Sequence, residues 1–220
     1  MIYAWLHGKQ NIKEDRLSSS IFGLLSYFPT ELFWEIIIES CNTNNILPKY
    51  CGQIQSIQFW PHWNSVGTNN ANFVEPDIFI EFDDFNLIIE VKRDTNIQFK
   101  GQWEKEIISY FNNEEYQNKK VVLLAVGGND TEQNETVTLN EKDIPIIKCH
   151  WYKILAVVRR IREHLQNALF LNSNSANLRI INDVIEVFRM NGYLTTEWLC
   201  EIPTKYAIVN NSIINDLKFN

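Results

Sequence analysis

Two short stretches of this chain carry side chains that could share one chemical task. Pro76-Asp77 leads into Ile78-Phe79-Ile80, and Leu87-Ile88-Ile89 leads into Glu90-Val91-Lys92, with the polar turn Asp83-Asp84-Phe85-Asn86 between them. Side chains two apart on a strand share a face, so Glu90 and Lys92 project together while Val91 points away. A turn centred on Asp84-Phe85 sets Asp77 opposite Lys92 and diagonal to Glu90, within reach of a shared ion. A one-residue slip would reverse that parity. Mg2+ takes oxygen ligands and keeps several waters, so Asp77, Glu90 and the main-chain carbonyl of Val91 suffice to hold it. Such a metal lowers the pKa of a bound water. Lys92 could orient that water or offset developing charge. The chemistry indicated is hydrolysis of a phosphodiester. The competing reading is a strand-end salt bridge between Lys92 and Glu90, with Asp77 as a turn residue; Pro76-Asp77 on the hairpin partner favours the functional one.

The elements that must position these groups are legible from periodicity. Residues 12–28 place Leu17, Ile21, Leu24, Leu25 and Phe28 at helical spacing. Glu14 falls on that apolar stripe and needs a partner, which a metal would provide; a first-turn acid favoured by the helix dipole is the alternative. Asp15 and Glu31 are weaker candidates for the same role. Pro29 ends the helix, and Thr30 is the expected N-cap of a second one over Leu32, Phe33, Ile36 and Ile37. A loop over 42–49, a strand over Ile54–Phe59 and a second loop from His62 to Asn72 follow. The hairpin of residues 77–92 is apolar on both faces, which suits a sheet interior.

Beyond it, a helix is expected over about 99–117, with Trp103, Ile107, Tyr110 and Phe111 inward. Gln102, at its start, could hydrogen-bond a phosphate or a site water, or simply face solvent. Lys120–Val126 reads as a buried strand closed by Gly127-Gly128, Asn129–Asp143 as a polar excursion, and Ile144–Cys149 as a further strand. A long helix over 150–170 carries Lys153 and Arg160 on one stripe, with Arg159 and Arg162 beside it. This is the best basic patch in the chain: it could follow a phosphate backbone, or be a solvated outer face. Residues 172–177 read as a linker, and a last helix stops at Gly192. Trp60, Trp63 and Phe59 could stack bases, though packing explains them as well. This order predicts an α/β fold, a mixed sheet flanked by helices.

Composition bounds the rest. A chain of 220 residues, 45% hydrophobic and 21% charged, is enough for one domain with a sizeable core. No apolar run reaches membrane-span length, and no signal peptide is apparent. Cys41, Cys51, Cys149 and Cys200 form no Cys-x-x-Cys pair, which argues against zinc and for reduced thiols in a cytoplasm. A net charge of −7 argues against a general nucleic-acid binder, yet a local basic surface or a partner that delivers the substrate would reconcile the two.

Pro76-Asp77, a gap of twelve residues, then Glu90-Val91-Lys92, preceded by a helix carrying Glu14, resembles the PD-(D/E)xK nuclease superfamily. Gln102 resembles the glutamine that some exonuclease-like and repair-type branches place on the following helix. The resemblance covers about residues 12–126. It implies a restriction-endonuclease-like mixed central sheet flanked by helices: one domain over 1–220, with a core of about 12–150 and a C-terminal helical extension. It also implies Mg2+ or Mn2+ and hydrolysis of DNA, less often RNA. By position, Asp77 and Glu90 match the metal ligands, Lys92 the catalytic lysine and Glu14 the accessory acid. Phage defence, restriction or a mobile element is the setting by analogy, and paired cutting of duplex DNA would suit a homodimer. The alternatives are a non-catalytic module of the same fold that binds a partner protein or nucleic acid, and an acidic protein that covers a partner's DNA-binding surface.

Overall fold

The computed structural model describes residues 2–9, 13–41, 46–116, 119–167 and 175–193. Helices α1 (Ile2–Leu6), α2 (Lys13–Leu25) and α3 (Thr30–Ser40) come first. The strands β1 (Ile54–Phe59), β2 (Trp63–Asn64), β3 (Phe73–Val74), β4 (Ile78–Phe82) and β5 (Phe85–Val91) follow, then α4 (Lys100–Phe111). Strands β6 (Lys120–Val126), β7 (Glu135–Leu139) and β8 (Lys142–Cys149) precede α5 (Trp151–Asn167) and α6 (Ser175–Met190). Six strands form one mixed sheet in the order β1-β4-β5-β6-β8-β7, while β2 and β3 pair separately. Among the described residues no helix is long and apolar enough to cross a membrane.

Strand β5 is the axis of the fold. All seven of its residues are buried, because it has a strand on either side and helices over both faces. It runs antiparallel to β4 through a two-residue turn, Asp83-Asp84, and parallel to β6 through the crossover helix α4. Alternation divides the core in two. Ile78, Ile80, Leu87, Ile89 and Val91 pack under α2, α3, α5 and α6, in the larger cluster. Phe79, Ile88, Leu123 and Ala125 pack against Trp103 and Ile107 of α4 and Tyr110 near its end.

Several expectations need correction. The turn sits one residue earlier than expected, so the register shifts by two: Ile78 pairs with Ile89, and extending the ladder sets Asp77 opposite Glu90 rather than Lys92. A shift of two preserves which face each side chain takes. Thr30 is the first helical residue of α3 and Pro29 holds the cap position, with no side-chain cap bond. Helix α4 stops at Phe111, and Glu114–Tyr116 forms a separate 3-10 turn. The excursion over 129–143 contains β7, joined to β8 across Asn140 and Glu141, both at positive φ (49° and 63°). That is the backbone of a primed hairpin turn. Only Val137 is buried in β7, an edge strand whose polar face hides its pattern. Helix α6 begins at Ser175, inside the expected linker, and its stop at Gly192 (φ 86°) holds, with the Tyr193 N–H donating to the Phe188 carbonyl. Helix α1 had no counterpart in the periodicity. Residues 42–45 of the first loop, the end of the long helix at 168–170, the linker residues 172–174, Cys200 and the tail from 194 lie outside the described residues.

Candidate active site at the carboxyl end of the central strand

Where β5 ends, both helical layers reach the same place, and the sequence-predicted acids and lysine meet there. Asp77 enters just before β4. Its Oδ2 accepts a hydrogen bond from the Val91 N–H at 2.8 Å and its Oδ1 one from the Trp60 indole N–H at 3.1 Å. Trp60 also donates its main-chain N–H to the Asp77 carbonyl and holds a left-handed φ of 50°. A bulky residue in that region is strained. Trp60 therefore positions Asp77. With Phe59 and Trp63 it is buried, so all three aromatics pack in the interior.

Glu90 is 1% exposed, on the α4 side of the sheet. Its Oε1 accepts a charged hydrogen bond from the Lys92 ammonium. That ammonium also reaches the Val91 carbonyl at 3.3 Å and lies 3.7 Å from Glu14 Oε1. Glu14, in the first turn of α2, uses Oε2 to accept from the Arg93 N–H at 2.9 Å and the Asn96 amide at 2.8 Å. It thus ties the loop after β5 to α2 and completes the charge around Lys92. Asp15, next to it, is buried and lies 4.0 Å from Lys9, which pairs with Glu75. Glu31 is exposed on α3, away from this cluster, beside the loop around Cys51.

Glu106 is the member that the motif misses. It sits on α4, fully buried, and its carboxyl faces that of Glu90. Gln102, one turn earlier, donates to Glu106 Oε1 at 3.2 Å. The amide predicted to meet a phosphate or water therefore holds a buried acid. Its signal was present: Glu106 lies three residues after Trp103 and four before Tyr110, on the core stripe, as Glu14 does on α2. Gln98 was also missed. Its side-chain amide donates to the carbonyls of Glu90 and Gly127 at 3.3 and 3.2 Å, and its oxygen accepts from the Trp103 indole at 3.0 Å.

The loop past Lys92 requires two glycines. Gly127 and Gly128 both have positive φ (71° and 62°). A Cβ on Gly127 would fall 2.1 Å from the Lys92 carbonyl, and one on Gly128 2.6 Å from the Asn96 carbonyl. Only a bare backbone lets the end of β6 pass this closely. Trp151, at the start of α5, donates its indole N–H to the Lys92 carbonyl at 2.8 Å and fixes the turn from the other side.

Burial and mutual repulsion disfavour ionisation of these acids. Burial, then the Glu90 charge, pushes Asp77 well above the ordinary carboxylate range. Burial, then the Glu106 charge, does the same to Glu90. Glu106 is pushed up to about 7, chiefly by burial. Burial works to lower the Lys92 pKa, but the charge of Glu90 and its hydrogen bond, with Asp77 and Glu14 behind, carry it upward. Asp15 is raised by burial against the opposing pull of Lys9.

Two features bear on a cation. The buried Glu90 and Glu106 carboxyls hydrogen-bond to each other, one carrying the proton that the other accepts. Among the described residues, however, no group of three or more His, Cys, Asp and Glu side chains is spaced as a ready metal cage. The donor set fits Mg2+ or Mn2+, which need few protein oxygens and retain water. The lysine ammonium now takes part of that role.

The basic stripe on α5 is divided among counterions. Lys153 pairs with Glu132 at 3.0 Å, and Arg160 with Glu39. Arg159 and Arg162 are half-buried on the same helix.

Fold and site together define a mixed α/β protein with a buried acid–lysine cluster at the carboxyl end of its central strand. No family model matches the chain. An uncharacterized protein of Pasteurella multocida (strain Pm70), PM0110, is 30% identical over 209 residues, spanning 87% of this chain and 75% of that protein. The chain belongs to the same family as that protein.

Proposed function

We propose that this chain is a Mg2+- or Mn2+-dependent nuclease that hydrolyses DNA phosphodiester bonds in the cytoplasm. On this reading it has a restriction-endonuclease-like core over about 12–150 and a helical extension beyond, in the manner of the PD-(D/E)xK superfamily. One observation carries the reading: Asp77, Glu90 and Lys92 converge at one strand end, and Glu14 reaches them from a separate helix. A buried cluster with more acids than bases is costly for stability alone, so a ligand that uses it is the economical explanation.

Asp77, Glu90 and the Val91 carbonyl would hold the metal, with Glu14 alongside. The metal would supply a more acidic bound water and offset phosphate charge. The chain's residues do the rest. Val91 N–H and the Trp60 indole keep the Asp77 carboxylate pointed at the strand end. Glu14 fixes the loop that carries Lys92. Lys92 places a positive charge where the attacking oxygen and the phosphate would meet. In the reaction a water oxygen bonds to phosphorus as the bond to the leaving oxygen breaks; the water gives up a proton and the leaving oxygen gains one.

The test is cleavage of linear, circular and single-stranded DNA, with and without Mg2+ or Mn2+, by the wild type and a Lys92→Ala variant. The variant should lose about 10²–10⁴-fold in rate with an unchanged circular-dichroism spectrum. Equal products from both proteins would rule out this site. The second reading, a non-catalytic module that binds a partner protein or nucleic acid, draws on the net charge of −7 and on Lys92 already neutralising Glu90. Absence of products from the wild type, with DNA retained in gel shifts, would favour it.

A further inference from the structure

Away from the acid cluster, two cysteines distant in sequence meet side by side. Helix α3 ends at Cys41, whose φ of −114° and ψ of 147° are extended rather than helical. That backbone pairs in an isolated antiparallel bridge with Cys149, the last residue of β8. Residues directly across such a pair have Cα atoms about 4.5–5.5 Å apart, inside the roughly 4.4–6.8 Å that a disulfide spans. The side chains meet as well as the backbones. The Cys149 thiol donates to the Ser40 carbonyl at 3.3 Å, and the Cys41 thiol hydrogen-bonds to Cys149. Both are free thiols; Cys149 is buried and Cys41 is partly exposed, so a small oxidant reaches the pair through Cys41. Cys51, by contrast, donates to the carbonyl of its neighbour Gly52 at 3.4 Å. The pair also stands next to the candidate site. The Cys149 carbonyl accepts from the Gly127 N–H at 2.9 Å and from the Asn129 amide at 2.8 Å. Two residues further on, Trp151 holds the Lys92 carbonyl.

We propose that Cys41 and Cys149 are an oxidative modification site: a hydroperoxide converts them to a disulfide that fastens the end of α3 to the end of β8, and a thiol reductant releases it. The Cys41 sulfur, on losing its proton, attacks the peroxide; an S–O bond forms as the O–O bond breaks, and the departing oxygen takes up that proton and leaves as water. The Cys149 sulfur then attacks the Cys41 sulfur. The S–S bond forms, the S–O bond breaks, and hydroxide leaves as water with the Cys149 proton. The two thiols give up two hydrogens and two electrons, and hydrogen peroxide is reduced to two waters. The neighbouring Cys149 thiol, then burial, holds the Cys41 thiol well above its ordinary range. The thiolate is therefore scarce at neutral pH, and the bond closes slowly, faster in alkali. This suits a fastening made under sustained oxidation, not a rapid peroxide sensor. Because the bridge would close a long loop, it restrains the unfolded chain strongly and stabilises the folded one.

The reduced full chain is treated with hydrogen peroxide, unfolded, alkylated with iodoacetamide and mapped by mass spectrometry. Alkylated thiols should fall from four to two, with the peptide holding Cys41 joined to the one holding Cys149, and dithiothreitol should restore all four. The oxidised protein should melt about 5–10 °C higher than the reduced one, and amide exchange over residues 93–96, the turn after Lys92, should slow. Cys41→Ser, at the partly exposed partner, should form no link and show no rise in Tm. Cys51→Ser should still form it. Four alkylated thiols after oxidation, thiols lost without a link, or a link to Cys51 or Cys200 instead overturns the inference. So does an oxidised protein whose melting and exchange match the reduced one. No DNA or metal enters the assay, so its outcome is independent of the nuclease reading.

Discussion

Lys92 and Lys148 are both withdrawn from water, and both lie on the same side of the sheet. Glu90, Ala125 and Lys148 form a single row across β5, β6 and β8, so the two lysine networks sit only about 10 Å apart. Lys148 is 3% exposed as a side chain and donates to Asp130, Glu135 and Thr131. Its acids stand at the surface, and its hydrogen bond lowers the Asp130 pKa. Two carboxylates share that one ammonium, and both keep their water. Lys92 is 17% exposed and faces Glu90, Glu14 and Asp77, with Glu106 behind. Here the acids are the buried partners, they outnumber the amine, and burial raises three of them. A lysine that serves the fold brings its counterions to the surface. On the proposed nuclease reading, a lysine set among surplus buried acids marks where a cation would bind.

The sharpest way to break that contrast is to remove each amine in turn. On the proposed nuclease reading, Lys92→Ala should slow metal-dependent cleavage by about 10²–10⁴-fold, and it should also lower the denaturation midpoint, because Glu90 stays buried without its charge partner. Lys148→Ala should leave cleavage within about twofold and cost about 2 kcal/mol in urea unfolding, from lost hydrogen bonds and packing. Equal effects of both substitutions on both readouts would erase the distinction. Gly127→Ala should cost about 3 kcal/mol or more: its φ of 71° is unfavourable for a side chain, and the new Cβ meets the Lys92 carbonyl at 2.1 Å. Thermal unfolding would read that loss. If the variant melts with the wild type, the end of β6 does not hold the Lys92 turn.

The pH dependence separates the networks by sign. Glu106 keeps its proton in the folded state up to about 7, against an ordinary value of 4.5. The native state therefore binds more protons than the unfolded chain between those limits, and stability falls as pH rises through the window. Below pH 4.5 both states are protonated and this contribution is fully retained; above 7 it has been lost. The size is on the order of 3 kcal/mol. Asp77 and Glu90, both raised, extend the decline upward. Urea midpoints from pH 4.5 to 8 should slope downward in the wild type and flatten in Glu106→Gln. Asp130 works the other way, since its lowered pKa favours the folded state once pH exceeds its ordinary value. A wild type that gains stability across the window would contradict the buried-acid assignment.

The strands of the core were legible because their apolar runs are dense: Ile78–Ile80, Leu87–Ile89 and Lys120–Val126 read directly as interior strands, while Phe85 and Asn86, taken as turn, belong to β5. The motif led to Asp77, Glu90, Lys92 and Glu14, and the structure brings those four together. Strand β8 was legible, but its edge partner β7 and the turn between them were not, since β7 buries one residue and the turn uses Asn140-Glu141 without glycine. The pairing of Asp77 slipped by two because the turn could be centred on either side of Asp84, and composition does not choose between them. Glu106 could have been read by the argument applied to Glu14, an acid on an apolar stripe. The ion pairs that occupy Lys153 and Arg160 could not, because Glu132 and Glu39 are distant in sequence and only tertiary packing brings them near.

The smallest expected effect belongs to Asp77→Asn, and it tests how far charge alone explains the cluster. Removing one negative charge beside Glu90 relieves repulsion and desolvation, and charge counting predicts a more stable protein without metal. The hydrogen bonds argue otherwise. Both Asp77 oxygens accept, one from the Val91 N–H and one from the Trp60 indole. Asparagine has a single oxygen, so its amide group must face one of those donors and leave that donor unpaired, at about 1–3 kcal/mol. The two effects oppose each other, and the expected net is a loss of about 1 kcal/mol in metal-free thermal unfolding, with the Mn2+-induced rise in Tm reduced. A gain in metal-free Tm would mean that repulsion within the acid cluster outweighs the two donors that orient Asp77, and that this carboxylate is held by its neighbours' geometry far less than Trp60 and Val91 suggest.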